Sequence, residues 1–149
     1  MAEKAHFRPL TMFSRPLIVR HEIADHRWTL PDLTIAVLAD LHVCIPWTPL
    51  SAIARIVAAT NALRPDLVLI PGDFIADRNL PARSIPATAI VETLAPLAAP
   101  LGVAAVMGNH DWWDCRLSRA TRFARNSVVE ALEGGPIRLL TNRAERLPH

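Results

Sequence analysis

The chain has 149 residues with a formal charge of +2, and 51% of it is apolar. That composition excludes a disordered chain and is enough for one domain with a core. The charge is too small to argue for nucleic acid, and no apolar run reaches the roughly 18 residues of a membrane span.

Residues 1–14 read as a loose N-terminal segment and 15–149 as one domain. The N-terminal residues are charged and have no continuous apolar centre, so no signal peptide is read and a cytoplasmic location is expected. Two cysteines, Cys44 and Cys115, match no zinc module and are expected as reduced thiols. Almost every cation is an arginine, with Lys4 the one lysine. The segment "PLIVRHEIA" (16–24) has the β-branched content of an edge strand. "LTIAVLAD" (33–40) is a continuous apolar run, as in a strand buried on both faces. Thr48 and Pro49 then supply an N-cap and a first-turn proline for a helix through "LSAIARIVAATNAL". Arg64-Pro65 ends that helix.

"DLVLIPGD" (66–73) is a second buried strand. "SIPATAIVETLAPLAA" is a shorter helix interrupted by prolines, and "GVAAVMG" (102–108) is a third strand. A helix is expected over 115–133, with Leu117, Ala120, Ala124, Val128 and Leu132 on one face. Arg116, Arg119, Arg122 and Arg125 lie beside that face. Gly134-Gly135-Pro136 ends the helix, and "IRLLTN" begins a fourth strand. This alternation predicts an α/β fold with a mainly parallel sheet, flanking helices and right-handed crossovers.

Functional groups in such sheets gather at the carboxyl ends of the strands. Each of the three buried strands ends in metal-type ligands: "ADLH", "PGD" and "GNHD". Asp40 and His42 are two residues apart, so an extended backbone points both to one side. Gly72 and Gly108 allow tight exits ahead of Asp73 and Asn109. Neighbouring strands lie about 4.8 Å apart, so Asp40, His42, Asp73 and Asn109 can surround one or two cations. Carboxylate, imidazole and amide oxygen suit first-row divalent metals. A metal pair suits phosphoryl hydrolysis. A D-x-H triplet alone is commonly a strand-end Asp beside a surface His. The three motifs in order, each closing an apolar strand, carry the inference.

The chain resembles the N-terminal half of a calcineurin-like metallophosphoesterase. The residues that carry the resemblance are Asp40-Leu41-His42, Gly72-Asp73 and Gly108-Asn109-His110-Asp111, and it extends over about Leu17 to Asn142. Trp112-Trp113 and "IRLLTN" resemble the membrane-associated bacterial phosphodiesterases of that family. The resemblance implies the first half of a four-layer αββα sandwich and a centre for two divalent metals such as Mn, Fe or Zn. Asp40 and His42 would bind the first metal, Asp73 would bridge, and Asn109 would bind the second. His110 would be the catalytic acid at the leaving oxygen, with Asp111 as its orienting partner. The implied substrate is a phosphoester, with a nucleotide-linked or lipid phosphodiester the finer expectation. A location peripheral to the membrane goes with it.

The family's downstream His and its G-H-x-H segment have no counterpart here, since His149 is the one histidine after His110. A truncated domain is therefore expected, binding at most one ion weakly. It would self-associate or be completed by a C-terminal half. The competing reading is a non-catalytic binding module or remnant. His6, His21 and His26 precede the first motif and are expected away from the site. Cys44, two residues beyond His42, could approach the metal but is more simply a loop thiol. The arginine row could meet anionic substrate or lipid headgroups. Trp112 and Trp113 could line a cleft or pack beneath the loop.

Overall fold

The computed structural model describes residues 15–147; the expected loose segment 1–14 lies outside the described residues. Three apolar runs and the segment after Gly135 form the strands β1 (Ile35–Val37), β3 (Leu67–Ile70), β5 (Val103–Ala105) and β6 (Ile137–Leu139). They make one parallel sheet in the order β1-β3-β5-β6. A two-stranded antiparallel ribbon pairs β2 (Cys44–Ile45) with β4 (Arg83–Ser84).

Strand order follows chain order, so every crossover steps the same way across the sheet. Right-handed crossovers then put all the helices on one face. The helices α1 (Leu50–Ala62), α2 (Ala87–Leu94) and α5 (Ser127–Leu132) form that layer, with α2 packed between the other two. The register places Ala36, Val68, Val103 and Ile137 in one row beneath it. Val68, Val103 and Ile137 are buried there, joined by Ile53, Ile90, Leu94, Val128 and Leu132 from the helices.

The next row points the other way and consists of Val37, Leu69, Ala104 and Arg138. This face is open at its β1 end, where Ile35 is 46% and Val37 59% exposed. The expectation that 33–40 forms a strand buried on both faces is thus corrected. An apolar run shows a need for cover on two sides, whereas these helices supply it on one. The expected strand at 16–24 does not form either. Among the described residues that segment pairs with no strand, and β1 is at the sheet edge.

Two helix boundaries also differ from expectation. Pro49, not Thr48, occupies the N-cap of α1, and no side chain caps that end. Thr48 instead exchanges backbone hydrogen bonds with Cys44. The single helix expected over 115–133 is broken into α4 (Arg116–Ala120) and α5. Between them Arg122 and Phe123 have left-handed backbones, with φ 51 and 65°. Asn126 accounts for the break. Its Oδ1 accepts the N–H of Val128 at 2.8 Å and that of Val129 at 3.4 Å, which starts α5. Its Nδ2 donates to the Asp111 carbonyl at 2.7 Å and to Ser118 Oγ at 3.0 Å. Fully satisfied in a buried position, Asn126 outweighs the helical periodicity on either side of it.

Asn126→Ala removes the cap and leaves these groups unpaired, and it should cost about 2 kcal/mol of stability. Arg125→Ala loses only an exposed ion pair to Glu130 and should cost under about 1 kcal/mol. Urea unfolding of the two variants checks the contrast; equal losses would show that Asn126 is an ordinary turn residue.

Candidate metal centre

The carboxyl ends of β1, β3 and β5 lie side by side, so the three motifs meet at one edge of the sheet. The loops there continue the pairing after the strands end. The His42 N–H donates to the Asp73 carbonyl and that of Val43 to the Phe74 carbonyl, both at 2.9 Å. Leu41, Val43 and Phe74 are buried in the core. They anchor the backbone on both sides of His42 and just after Asp73, which holds those two side chains at the carboxyl edge of the sheet.

The glycines of the second and third motifs explain each other. A Cβ on Gly72, whose φ is +101°, would fall on the backbone of Gly108. A Cβ on Gly108 would fall on the Asp73 carboxylate and backbone N. "PGD" and "GNHD" therefore need glycine because the two loops are in backbone contact. Asp40, His42 and Asp73 also adopt left-handed backbones, with φ 54, 41 and 57°. Non-glycine residues are uncommon in that region, and such strain concentrates at functional positions.

Ligand atoms of His42, Asp73 and His110 all lie within 4.8 Å of one another. The rings of His42 and His110 meet edge to face with centroids 4.9 Å apart. His42 Nδ1 lies 3.3 Å from the Ile75 carbonyl. A carbonyl only accepts, so this bond puts the neutral ring's proton on Nδ1 and frees the Nε2 lone pair. That Nε2 is 3.8 Å from Asp40 Oδ1. Asp73 Oδ1 accepts the His110 N–H at 3.0 Å, which holds its carboxylate beneath α3 (Asn109–Trp113). Asn109 opens that helix and is exposed. Imidazole and carboxylate brought together in this way are a donor set suited to a first-row divalent cation.

Asp111 does not orient His110, and that expectation is corrected. Its side chain is fully buried and turned toward the backbone. Oδ2 accepts the N–H of Asp73 at 2.8 Å and of Gly108 at 3.0 Å, and Oδ1 accepts that of Ile75 at 3.1 Å. Burial pushes this carboxyl up, and the three N–H donors pull against the shift. The partner of His110 is Asp114, whose Oδ2 lies 2.7 Å from His110 Nδ1. Arg78 Nε sits 3.3 Å from the other oxygen of Asp114. The bond to Asp114 raises the His110 pKa, with smaller contributions from the charges of Asp73, Asp114 and Asp77. Asp77, His110 and Asp114 form a second group of possible ligand atoms.

Sequence reasoning missed Asp77, Arg78 and Asp114. The sequence does carry a signal for Asp114, since it lies four residues after His110, one turn on along a helix. No spacing rule points to Asp77 or Arg78, which reach His110 and Asp114 respectively through the fold of the loop after β3. Cys44 is buried in β2 and belongs to neither ligand group. His21 and His26 are exposed in the segment before β1. Trp112 is half-buried and Trp113 is exposed.

The sequence profile of the calcineurin-like phosphoesterase family matches residues 33–142. Phosphodiesterase YaeI of Escherichia coli strain K12 is 31% identical over 128 residues, which is 85% of this chain and 43% of that protein. A Caenorhabditis elegans protein that bears a metallophosphoesterase name is 36% identical over 101 residues, 68% of this chain and 20% of its own length. A Danio rerio protein named as a transmembrane protein with a metallophosphoesterase domain is 30% identical over 104 residues, covering 70% of this chain and 22% of that one. The comparison with solved structures gave no match. The chain thus spans less than half the length of these relatives. Among its described residues no helix is long and apolar enough to cross a membrane.

Two outcomes follow from this geometry. Asp111→Ala strands three backbone N–H groups and should cost several kcal/mol. Asp40→Gly removes a candidate ligand but relaxes a left-handed residue, so it should leave stability equal or higher. Thermal unfolding of the two variants compares them, and a harmless Asp111→Ala would refute the anchoring role. In metal-free protein the raised His110 pKa means that the protonated pair stabilises the fold fully below about pH 6.5. That contribution is lost as pH rises through the folded-state value. Proton NMR of the His110 ring should show its pKa fall in Asp114→Asn; an unchanged titration would remove Asp114 as its partner.

Proposed function

The chain belongs to the calcineurin-like phosphoesterase family, and on that premise we propose that it carries the first part of a metal-dependent phosphodiesterase centre. The observation that carries this reading is the convergence of His42, Asp73 and His110 ligand atoms within 4.8 Å. Asp40 joins them through its 3.8 Å approach to His42 Nε2. Asn109 adds an amide oxygen beside His110. Divalent cations held by Asp40, His42, Asp73 and Asn109 would supply Lewis-acid polarisation of a phosphoryl oxygen and a nucleophile from water at neutral pH.

The chain's own residues do the rest. The Ile75 carbonyl fixes the His42 ring, so its free nitrogen points out of the sheet edge. Asp73 presents a carboxylate oxygen within 4.8 Å of a nitrogen of each imidazole. His110, its pKa raised by the bond to Asp114, donates a proton to the leaving oxygen from Nε2. Arg78 steadies Asp114. A phosphodiester is the favoured substrate because the relative covering most of this chain is named a phosphodiesterase. A nucleotide-linked or lipid diester would fit that class, in a protein peripheral to the membrane. The exposed Ile35–Val37 face would be covered by further sheet or by a second copy.

The competing reading is a non-catalytic binding module. In that reading Asp40, His42 and Asp73 hold one ion, and Asn109 alone is added for a second. With Asp73 and Asn109 as the only ligands of a second ion, that ion is weakly held. Losing the two-metal clamp costs several kcal/mol of barrier, and each ~1.4 kcal/mol is tenfold in rate.

Reconstitution with manganese followed by mass-spectrometric metal analysis should find at most one weakly bound ion, absent in Asp73→Asn. The chain alone should hydrolyse bis-p-nitrophenyl phosphate near background. A chimera continuing beyond Asn142 with the corresponding part of the Escherichia coli relative should gain metal-dependent hydrolysis and lose it in His110→Ala. A folded, metal-loaded chimera without turnover would favour the binding module. Brisk turnover by the short chain would show that fewer ligands suffice.

A further inference from the structure

Trp113 is 62% and Phe123 43% exposed, yet their rings pack edge to face with centroids 5.2 Å apart. The turn that carries Phe123 is firmly built. The Phe123 N–H donates to the Ser118 carbonyl at 2.6 Å, and the Arg125 N–H to Thr121 Oγ1 at 3.1 Å. Ser118 Oγ donates to the Arg125 carbonyl at 3.0 Å. Arg122 and Phe123 are both left-handed, a conformation unfavourable for a bulky residue. The fold thus holds an aromatic pair outward on a strained but braced turn, and strain persists where the surroundings enforce it.

The same segment is wholly basic. Residues 115–129 contain no Asp or Glu. Arg116, Arg119 and Arg122 are exposed, with no ion-pair partner among the described residues. Asp114, the nearest acid, is turned inward to His110 and Arg78.

We propose that this segment is a docking surface for an anionic lipid bilayer. Trp113 and Phe123 enter the boundary between headgroups and acyl chains, where amphipathic aromatic rings are favoured. Arg116, Arg119 and Arg122 pair with lipid phosphates. A single-stranded nucleic acid would share the charge complementarity. It is disfavoured because the rings stand 76° to each other and present no parallel faces for successive bases. The surface lies in other elements than the open face at Ile35 and Val37, and the proposal does not depend on catalysis.

The test is cosedimentation of the 149-residue chain with phosphatidylcholine vesicles, with and without phosphatidylglycerol. Binding should require phosphatidylglycerol and weaken with salt. Arg116→Gln, Arg119→Gln and Arg122→Gln should each reduce it about fivefold. The pair Trp113→Ala and Phe123→Ala should abolish it, while Ile35→Ser with Val37→Ser should leave it unchanged. Brominated acyl chains should quench the tryptophan emission of the unaltered chain, a readout that needs no variant to fold. No quenching, binding to neutral vesicles alone, or loss through the Ile35/Val37 changes would overturn the proposal. So would arginine-dependent binding to single-stranded DNA without binding to vesicles.

Discussion

The carboxylate of Asp111 ties together parts of the chain that no sheet hydrogen bond joins. Beyond the ends of β3 and β5 the regular ladder stops, and the N–H groups of Asp73, Ile75 and Gly108 need other acceptors. Buried donors without partners are strongly unfavourable. A single buried side chain accepts all three. Asp111 is the third residue of α3, so the same bonds dock that helix against the loop after β3. Its carbonyl takes the Asn126 side chain, which starts α5. One residue therefore fixes where His110 stands relative to Asp73, and where the last helix of the layer begins.

The rest of the edge follows from that closeness. Two loops pressed backbone to backbone tolerate only glycine at Gly72 and Gly108. The chain must turn sharply out of each strand, and Asp40, His42 and Asp73 take the left-handed conformations that the turns require. Strain thus falls on the residues that present ligands, while their neighbours Leu41, Val43 and Phe74 are fixed in the core. The N-terminal half of a metallophosphoesterase fold is visible in this arrangement: a four-stranded parallel sheet with helices along one face and the ligands along its carboxyl edge.

Much of this was legible in the sequence. Continuous apolar runs ending in polar clusters mark parallel strands and their functional ends, and the parallel order of all four strands agrees. What escaped was decided by tertiary partners. The periodicity of 115–133 could not reveal that Asn126 has three buried partners and breaks the helix. The adjacency of His110 and Asp111 suggested a pair, but neighbours on a helix point in different directions. The residue one turn on, Asp114, is the one within reach. The apolar character of 33–40 was evident, whereas the number of layers available to cover it was not. The convergence of Asp77 and Arg78 on the His110–Asp114 pair depends on the path of a loop, which no periodicity encodes.

The central claim is that these strand ends place His42 and Asp73 at a common cation position, with His110 beside it as the acid. Anomalous diffraction from crystals of the chain soaked in manganese tests it directly. The account predicts a manganese peak in contact with Asp73 and His42, with Asp40 completing its surroundings and His110 beside it. A peak confined to Asp77 and Asp114, or no peak at this edge in crystals that bind manganese elsewhere, would contradict it.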